Sequence, residues 1–181
     1  KIGVRLGIGF AVVLLMLVAI SVVSITRINE LNDGIDDLAE GRLPKILLAD
    51  ELKYNLQLIG RSARNMILTT DKSLEKQNIE AIAKVRQRNS EILEQITPLV
   101  QSEKGKTLLA KVVDMRARYN PITDRLMQFA DTSSPQYSQE KAVQMLFGEY
   151  KDAAEAYISA LSDFGGFQIE AAKKSGQNAV N

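Results

Sequence analysis

The chain has 181 residues and a net charge of +1, from 23 Lys and Arg against 22 Asp and Glu, with no Cys, His or Trp. Without Cys there is no disulfide, thiolate nucleophile or thiolate metal site, and without His the commonest metal ligand and general base is missing. The acids fall at solvent-face spacings rather than in apolar pockets, so no catalytic residue, metal or cofactor is expected, and the near-neutral balance lacks the basic excess that nucleic acid demands.

The first element is the uncharged run Leu6 to Ile25, LGIGFAVVLLMLVAISVVSI. A helix of about 20 residues at about 1.5 Å per residue covers the roughly 30 Å hydrocarbon core, so this segment can span a membrane. Lys1 and Arg5 precede the run, and Glu30, Asp33, Asp36, Asp37 and Glu40 follow it. The positive-inside rule then puts residues 1–5 in the cytoplasm, 6–25 in the membrane and 26–181 outside. A cleaved signal peptide, with Ala19 and Ser21 as a peptidase site, is the competing reading. The run is longer than the usual h-region of about 7 to 15 residues, which favours an anchor.

Four amphipathic segments follow, with no alternating strand pattern. The first covers Leu43 to Leu68, with Pro44 at a helix start or a bend near Gly41. Leu52, Leu56, Ile59, Ala63 and Met66 form its core stripe, and Tyr54, Leu58, Arg61, Asn65 and Leu68 form a second stripe opposite. A helix apolar on two faces buries both, so the second face is expected to pair with another copy of the chain. Asp71 caps the second segment, whose face carries Ile79, Ile82, Leu93, Ile96 and Val100 with Arg86 and Asn89 in its polar middle.

In the third segment Leu108, Val112, Met115, Tyr119, Ile122, Leu126 and Phe129 alternate steps of four and three. The fourth does so with Val143, Phe147, Tyr150, Ala154, Tyr157, Leu161 and Phe164, beginning at Ser134 as cap and Pro135 as first helical residue. Sustained stripes joined by short loops predict an all-α fold, an antiparallel up-down-up-down four-helix bundle preceded by one transmembrane helix. The pair Gly165 and Gly166 fits either a bend or close packing on the first segment, the latter favoured by the flanking Phe164 and Phe167.

Seven arginines, Arg61, Arg64, Arg86, Arg88, Arg116, Arg118 and Arg125, lie between residues 61 and 125. Arginine pairs bidentately with carboxylates. On the helical rise, Arg61, Arg64 and Arg125 sit roughly 10 Å below the loops near Thr70 and Ser133, with Arg86, Arg118 and Tyr119 about two turns deeper. Pro121 leaves the carbonyl of Ala117 without a donor and predicts a kink and a cavity beside Tyr119. The candidate ligand-binding residues are therefore Arg61, Arg64, Arg116, Arg118, Tyr119 and Arg125, with a small organic acid as ligand, di- or tricarboxylates favoured. The bland reading pairs Arg118 and Arg125 with Asp114, Asp124 or Asp131 on the surface. Thr69 and Thr70 read as turn and capping residues.

The opening KIGVRLGIGFAVVLLMLVAI, the proline in RLPKILLAD, the Arg-Asn step in GRSARNMILT and the RARY stretch together resemble the N-terminal part of a bacterial methyl-accepting chemotaxis protein with a four-helix-bundle sensor domain. The resemblance implies a homodimer in the bacterial inner membrane, a sensor domain on its outer side, a second membrane helix after the fourth bundle helix and a cytoplasmic signalling hairpin. It also implies that Arg61 and Arg64 hold a small acid between subunits near the distal end, with the fourth helix completing the pocket. Tyr150 and Ala154 depart from the threonine-bearing turn of the aspartate receptors, which keeps open a pocket inside one bundle built from Arg116, Arg118, Tyr119 and Arg125. A histidine-kinase sensor, or an adaptor bundle that binds a protein such as a periplasmic binding protein, are the alternatives.

Overall fold

A computed structural model describes residues 2–178 and is helical throughout its ordered elements, with no strand among the described residues. Lys1, in the stretch expected to be cytoplasmic, and residues 179–181, at the end of the stretch expected outside the membrane, lie outside the described residues, as does the side chain of Arg5. Helix α1 (Ile2–Asp36), a π-helical turn (Asp37–Arg42) and helix α2 (Leu43–Leu68) follow one another without a break. Of this rod, Gly7–Leu68 comprises 62 residues, a length of about 90 Å at the α-helical rise. Near Gly41, where a helix start or a bend was expected, the helix widens into the π turn, in which the Leu43 N–H bonds to the carbonyl of Leu38. A proline ring collides with the carbonyl four residues back, here that of Glu40, and the widened turn just ahead of Pro44 accommodates it.

Along α1 every large apolar side chain from Ile8 to Ile25 is exposed, and the segment is long and apolar enough to cross a membrane. The bundle begins with α2 and continues through α3 (Lys72–Ile96), α4 (Glu103–Ala130), α5 (Gln139–Phe147) and α6 (Glu149–Asn178). Its far end is closed by the loops 69–71 and 131–138, where Lys72 Nζ donates to Ser133 Oγ at 2.7 Å. At the near end Lys45 Nζ donates to the Leu99 carbonyl at 3.1 Å. Backbones approach closely between α2 and α3, α2 and α6, and α4 and α6, whereas long side chains bridge α3 and α4.

The expected core stripe of α2 is buried in full, from Leu52 to Met66. On α4, Val112, Tyr119 and Leu126 are buried, with Leu108, Met115, Ile122 and Phe129 packed partly buried against the core. Asp71 caps α3 by accepting from the Ser73 and Leu74 amides, and Thr69 Oγ1 accepts from the Asp71 amide, a turn role as expected. The polar middle of α3 is real: Asn89 is buried and accepts from Asn55 Nδ2 at 2.8 Å across α2. Full burial of a large aliphatic or aromatic side chain stabilises by about 1.5–3 kcal/mol, so these stripes determine the helix order.

Three expectations are corrected. Ile79, assigned to the core face of α3, is 42% exposed, because the first turns of α3 run beside a groove rather than against α4. The fourth segment does not start at Ser134 and Pro135: Ser134 Oγ accepts from the Gln136 amide in a turn, and Ser138 caps α5 through the Lys141 amide. The helix then breaks at Gly148 (φ −106°, ψ −110°), which shifts the helical phase between α5 and α6. Ala142 and Met145 consequently fill the core where Val143 and Phe147 were expected, and Phe147 is 72% exposed. After the break the expected stripe resumes with Tyr150, Tyr157, Leu161 and Phe164. Gly165 packs against Ala49 and Lys53 of α2, the close approach expected of it, while Gly166 faces open space.

Candidate functional site

The arginines of α3 and α4 are engaged. Arg88 clamps Glu51 bidentately at 2.6 and 2.8 Å, and these hydrogen bonds hold the Glu51 carboxyl below its ordinary range. Arg86 pairs with Asp124 and donates to the Asn120 carbonyl at 3.0 Å. Arg116 donates to Ser90 Oγ of α3, Arg118 pairs with Asp114 at 3.1 Å on the surface, and Arg125 pairs with Glu149. The pocket expected from Arg116, Arg118, Tyr119 and Arg125 is thus not assembled, because neighbouring positions on one helix point at different partners. The groove that Arg118 does line, about 450 Å³, also carries Glu149 and Asp152, which oppose an anion.

Tyr119 faces the core rather than a cavity. It is 1% exposed, stacks with Tyr150 and Tyr157 at 5.4 and 5.8 Å between ring centroids, and shares a 2.5 Å hydrogen bond with the Tyr150 hydroxyl. Burial pushes all three phenols up, Tyr157 to about 12. Helix α4 runs through Pro121 without interruption, and Thr123 Oγ1 donates to the Tyr119 carbonyl at 2.9 Å. The kink-lined cavity expected there is filled by these rings.

The arginines of α2 differ. Arg61 and Arg64 are both exposed, and neither has a carboxylate partner among the described residues. Arg61 lies on the outward stripe with Tyr54, 59% exposed, and Leu68, 82% exposed. Arg64 lies a little further round the helix, at the edge of a cleft of about 440 Å³ between α2 and the α5–α6 junction. Leu56, Gln57 and Gly60 of α2 form one wall; Leu146, Phe147, Tyr150, Lys151, Ala154, Glu155 and Ile158 form the other. Gly60 leaves room beside the Tyr150 hydroxyl, from which a Cβ at this position would stand 3.5 Å. The cleft therefore has a phenol at its floor, an unpaired guanidinium at its edge and apolar walls.

Sequence reasoning placed Arg64 with Arg61 in a pocket between subunits, and it did not single out Gly60, Phe147 or Lys151, which line this cleft together with Arg64 within one chain. Two signals pointed to them: a lone glycine inside an otherwise periodic helix, and a second one, Gly148, within the fourth stripe. A further groove of about 590 Å³ separates the start of α3 from the end of α4, but its arginine, Arg86, is already committed to Asp124.

Comparison with known proteins agrees with this architecture. No curated protein matches the sequence. A solved structure described as the periplasmic sensor domain of a sensor histidine kinase superimposes with a TM-score of 0.66 at 16% identity, covering 82% of this chain and 97% of that one, and so shares the fold. The family model described as "Four helix bundle sensory module for signal transduction" matches residues 1–181. With the match spanning the whole chain, and with the helix order and bundle described above, the protein belongs to the four-helix-bundle sensory modules of signal transduction.

Proposed function

We propose that this sensory module is the extracytoplasmic input of a transmembrane chemoreceptor and that it binds a small organic acid in the cleft between α2 and the α5–α6 junction. The observation that carries the reading is Arg64, a cation without a counterion among the described residues, beside an apolar cleft with a buried hydroxyl at its floor. Exposed apolar side chains all along α1 support a membrane anchor, since so much apolar surface is stable only in lipid or against another chain. The acidic flank that follows the apolar run, from Glu30 to Glu40, supports an outward-facing bundle.

The outward stripe of α2 supports a homodimer, with Arg61 at its seam and Leu58 half-buried beside Tyr54. Replacing Leu58 with Glu is expected to weaken self-association in analytical ultracentrifugation while leaving helicity unchanged; a dimer indifferent to Leu58→Glu removes the proposed seam. Signalling then runs through a small displacement of α6 relative to α2. Helix α6 leads from the cleft down past the π turn, in contact with both α2 and that turn. A ligand seated between the two helices biases their offset only by its differential affinity for the two positions.

A thermal-shift screen tests the binding reading, because a ligand raises apparent stability by RT ln(1 + [L]/Kd). Stabilisation by organic acids and not by neutral sugars is expected. Stabilisation by sugars alone would overturn the reading, and no response to any small molecule would favour an adaptor bundle. The histidine-kinase neighbour favours a second output, in which the same input drives a kinase. The sequence downstream of α6 separates these two outputs.

A further inference from the structure

Building on the organic-acid reading of this cleft, we infer that it selects a monocarboxylate carried on a compact apolar body, an aromatic acid above all, rather than the di- or tricarboxylate expected from the number of arginines. Charge is the first argument. The ionisable side chains lining the cleft, phenol aside, are Arg64, Lys151 and Glu155, and Lys151 lies 3.8 Å from Glu155. One guanidinium is left uncompensated, which matches one carboxylate. A second carboxylate on the ligand would leave water to face apolar walls or Glu155, and an unpaired buried charge is strongly unfavourable.

The walls are the second argument. Phe147, thrown outward by the break at Gly148, is 72% exposed at the mouth, and Ile158 is 39% exposed below it. A flat apolar body inserted against Phe147, Leu146 and Ile158 would remove this surface from water and allow ring stacking. The cleft volume, about 440 Å³, falls within the roughly 300–1,000 Å³ of small-molecule sites.

The seat for the carboxylate is the third. Gly60 has no side chain, the Tyr150 hydroxyl points at that gap, and Arg64 follows Gly60 by one helical turn. With Tyr119 as donor in the tyrosine pair, the Tyr150 hydrogen is available to a ligand oxygen while Arg64 donates to the other. Burial keeps both phenols protonated, so each remains a hydrogen-bond donor across the physiological range.

The test is calorimetric titration of the full chain in lipid nanodiscs with benzoate, cyclohexanecarboxylate, benzamide, succinate and citrate. Benzoate and cyclohexanecarboxylate are expected to bind, with neutral benzamide weaker by at least about tenfold, the loss attached to one charge-assisted hydrogen bond, and with succinate and citrate weaker because each carries a second charge with no partner in the cleft. Arg64→Ala should lower benzoate affinity by about 10- to 100-fold, and Arg64→Lys by less, because the charge survives without the fork. Succinate or citrate binding more tightly than benzoate, and depending on Arg64, overturns the selectivity but leaves the organic-acid reading intact. If benzamide matches benzoate, the carboxylate seat is wrong. If a folded chain, verified by circular dichroism, binds none of the acids, both readings fall.

Discussion

The arginines of α2 and those of α3 and α4 carry the same chemistry but occupy different electrostatic surroundings. Arg86, Arg88, Arg118 and Arg125 each lie against a carboxylate, and Arg116 is spent on the Ser90 hydroxyl, so these side chains act as bridges between helices or along one helix. Arg61 and Arg64 have no such partner, and only Arg64 borders a cleft that a ligand can enter. Arginine density along the chain therefore does not show which guanidiniums are available, because most of these side chains already lie against an acid. An anion must displace Asp124 to reach Arg86, whereas Arg64 is paired with no carboxylate among the described residues.

The largest expected effects break this comparison at its centre. Arg64→Ala should cost about 10- to 100-fold in acid affinity, while Arg118→Ala and Arg125→Ala should change it by no more than about twofold, as measured by calorimetry. The latter two pairs are exposed, so their loss should alter stability by no more than about 1 kcal/mol. Equal losses at Arg64 and Arg125 would mean that the pairing seen here does not decide availability.

The same contrast between partnered and unpartnered groups exists inside the core. Tyr119 shares its hydroxyl with Tyr150, but the Tyr157 hydroxyl is buried without a hydrogen-bond partner among the described residues. Tyr119→Phe leaves Tyr150 without that partner and should destabilise by about 1–2 kcal/mol in urea denaturation, whereas Tyr157→Phe removes an unsatisfied group and should be neutral or slightly stabilising. Alkaline pH probes these phenols together. Their folded pKa values are raised, Tyr157 to about 12, so their contribution is complete below the unfolded value near 10 and is lost as pH rises through the folded values. Stability should fall from about pH 10 upward, and the fall should be shallower in Tyr157→Phe.

Gly60→Ala sharpens the account of the cleft. A Cβ there makes ordinary van der Waals contact with the Tyr150 hydroxyl, so the helix should gain up to about 1 kcal/mol. The methyl group would also occupy the carboxylate seat, so the variant should be more stable and bind acid more weakly. Smallest is the Glu51–Arg88 pair: its lowered carboxyl pKa gives a contribution present above the unfolded value near 4.3 and lost as pH falls through the folded value. Glu51→Gln should slightly flatten the acid limb of the stability profile.

The fold was largely legible in the residues because burial follows helical period: the α2 stripe, the Asp71 cap and the centre of α4 needed only spacing and capping chemistry. Legibility failed where a local break changed the period. A glycine within a stripe is compatible with either a continuous helix or a break, and at Gly148 the break moved Val143 and Phe147 out of the core. The site was less legible, since whether Arg64 or Arg125 finds a carboxylate depends on the azimuth of a neighbouring helix, which no single stripe encodes. The outward face of α2 was readable, being opposite the core stripe on the same helix.

The most direct test of the central claim is to map backbone amide chemical-shift changes in the nanodisc-bound chain during a benzoate titration. The account predicts saturable shifts centred on Gly60, Arg64, Gly148 and Lys151, with the amides of Arg118 and Arg125 little changed. Saturable shifts centred on Arg118 and Arg125, or on the groove between Ile79 and Asp131, would contradict it.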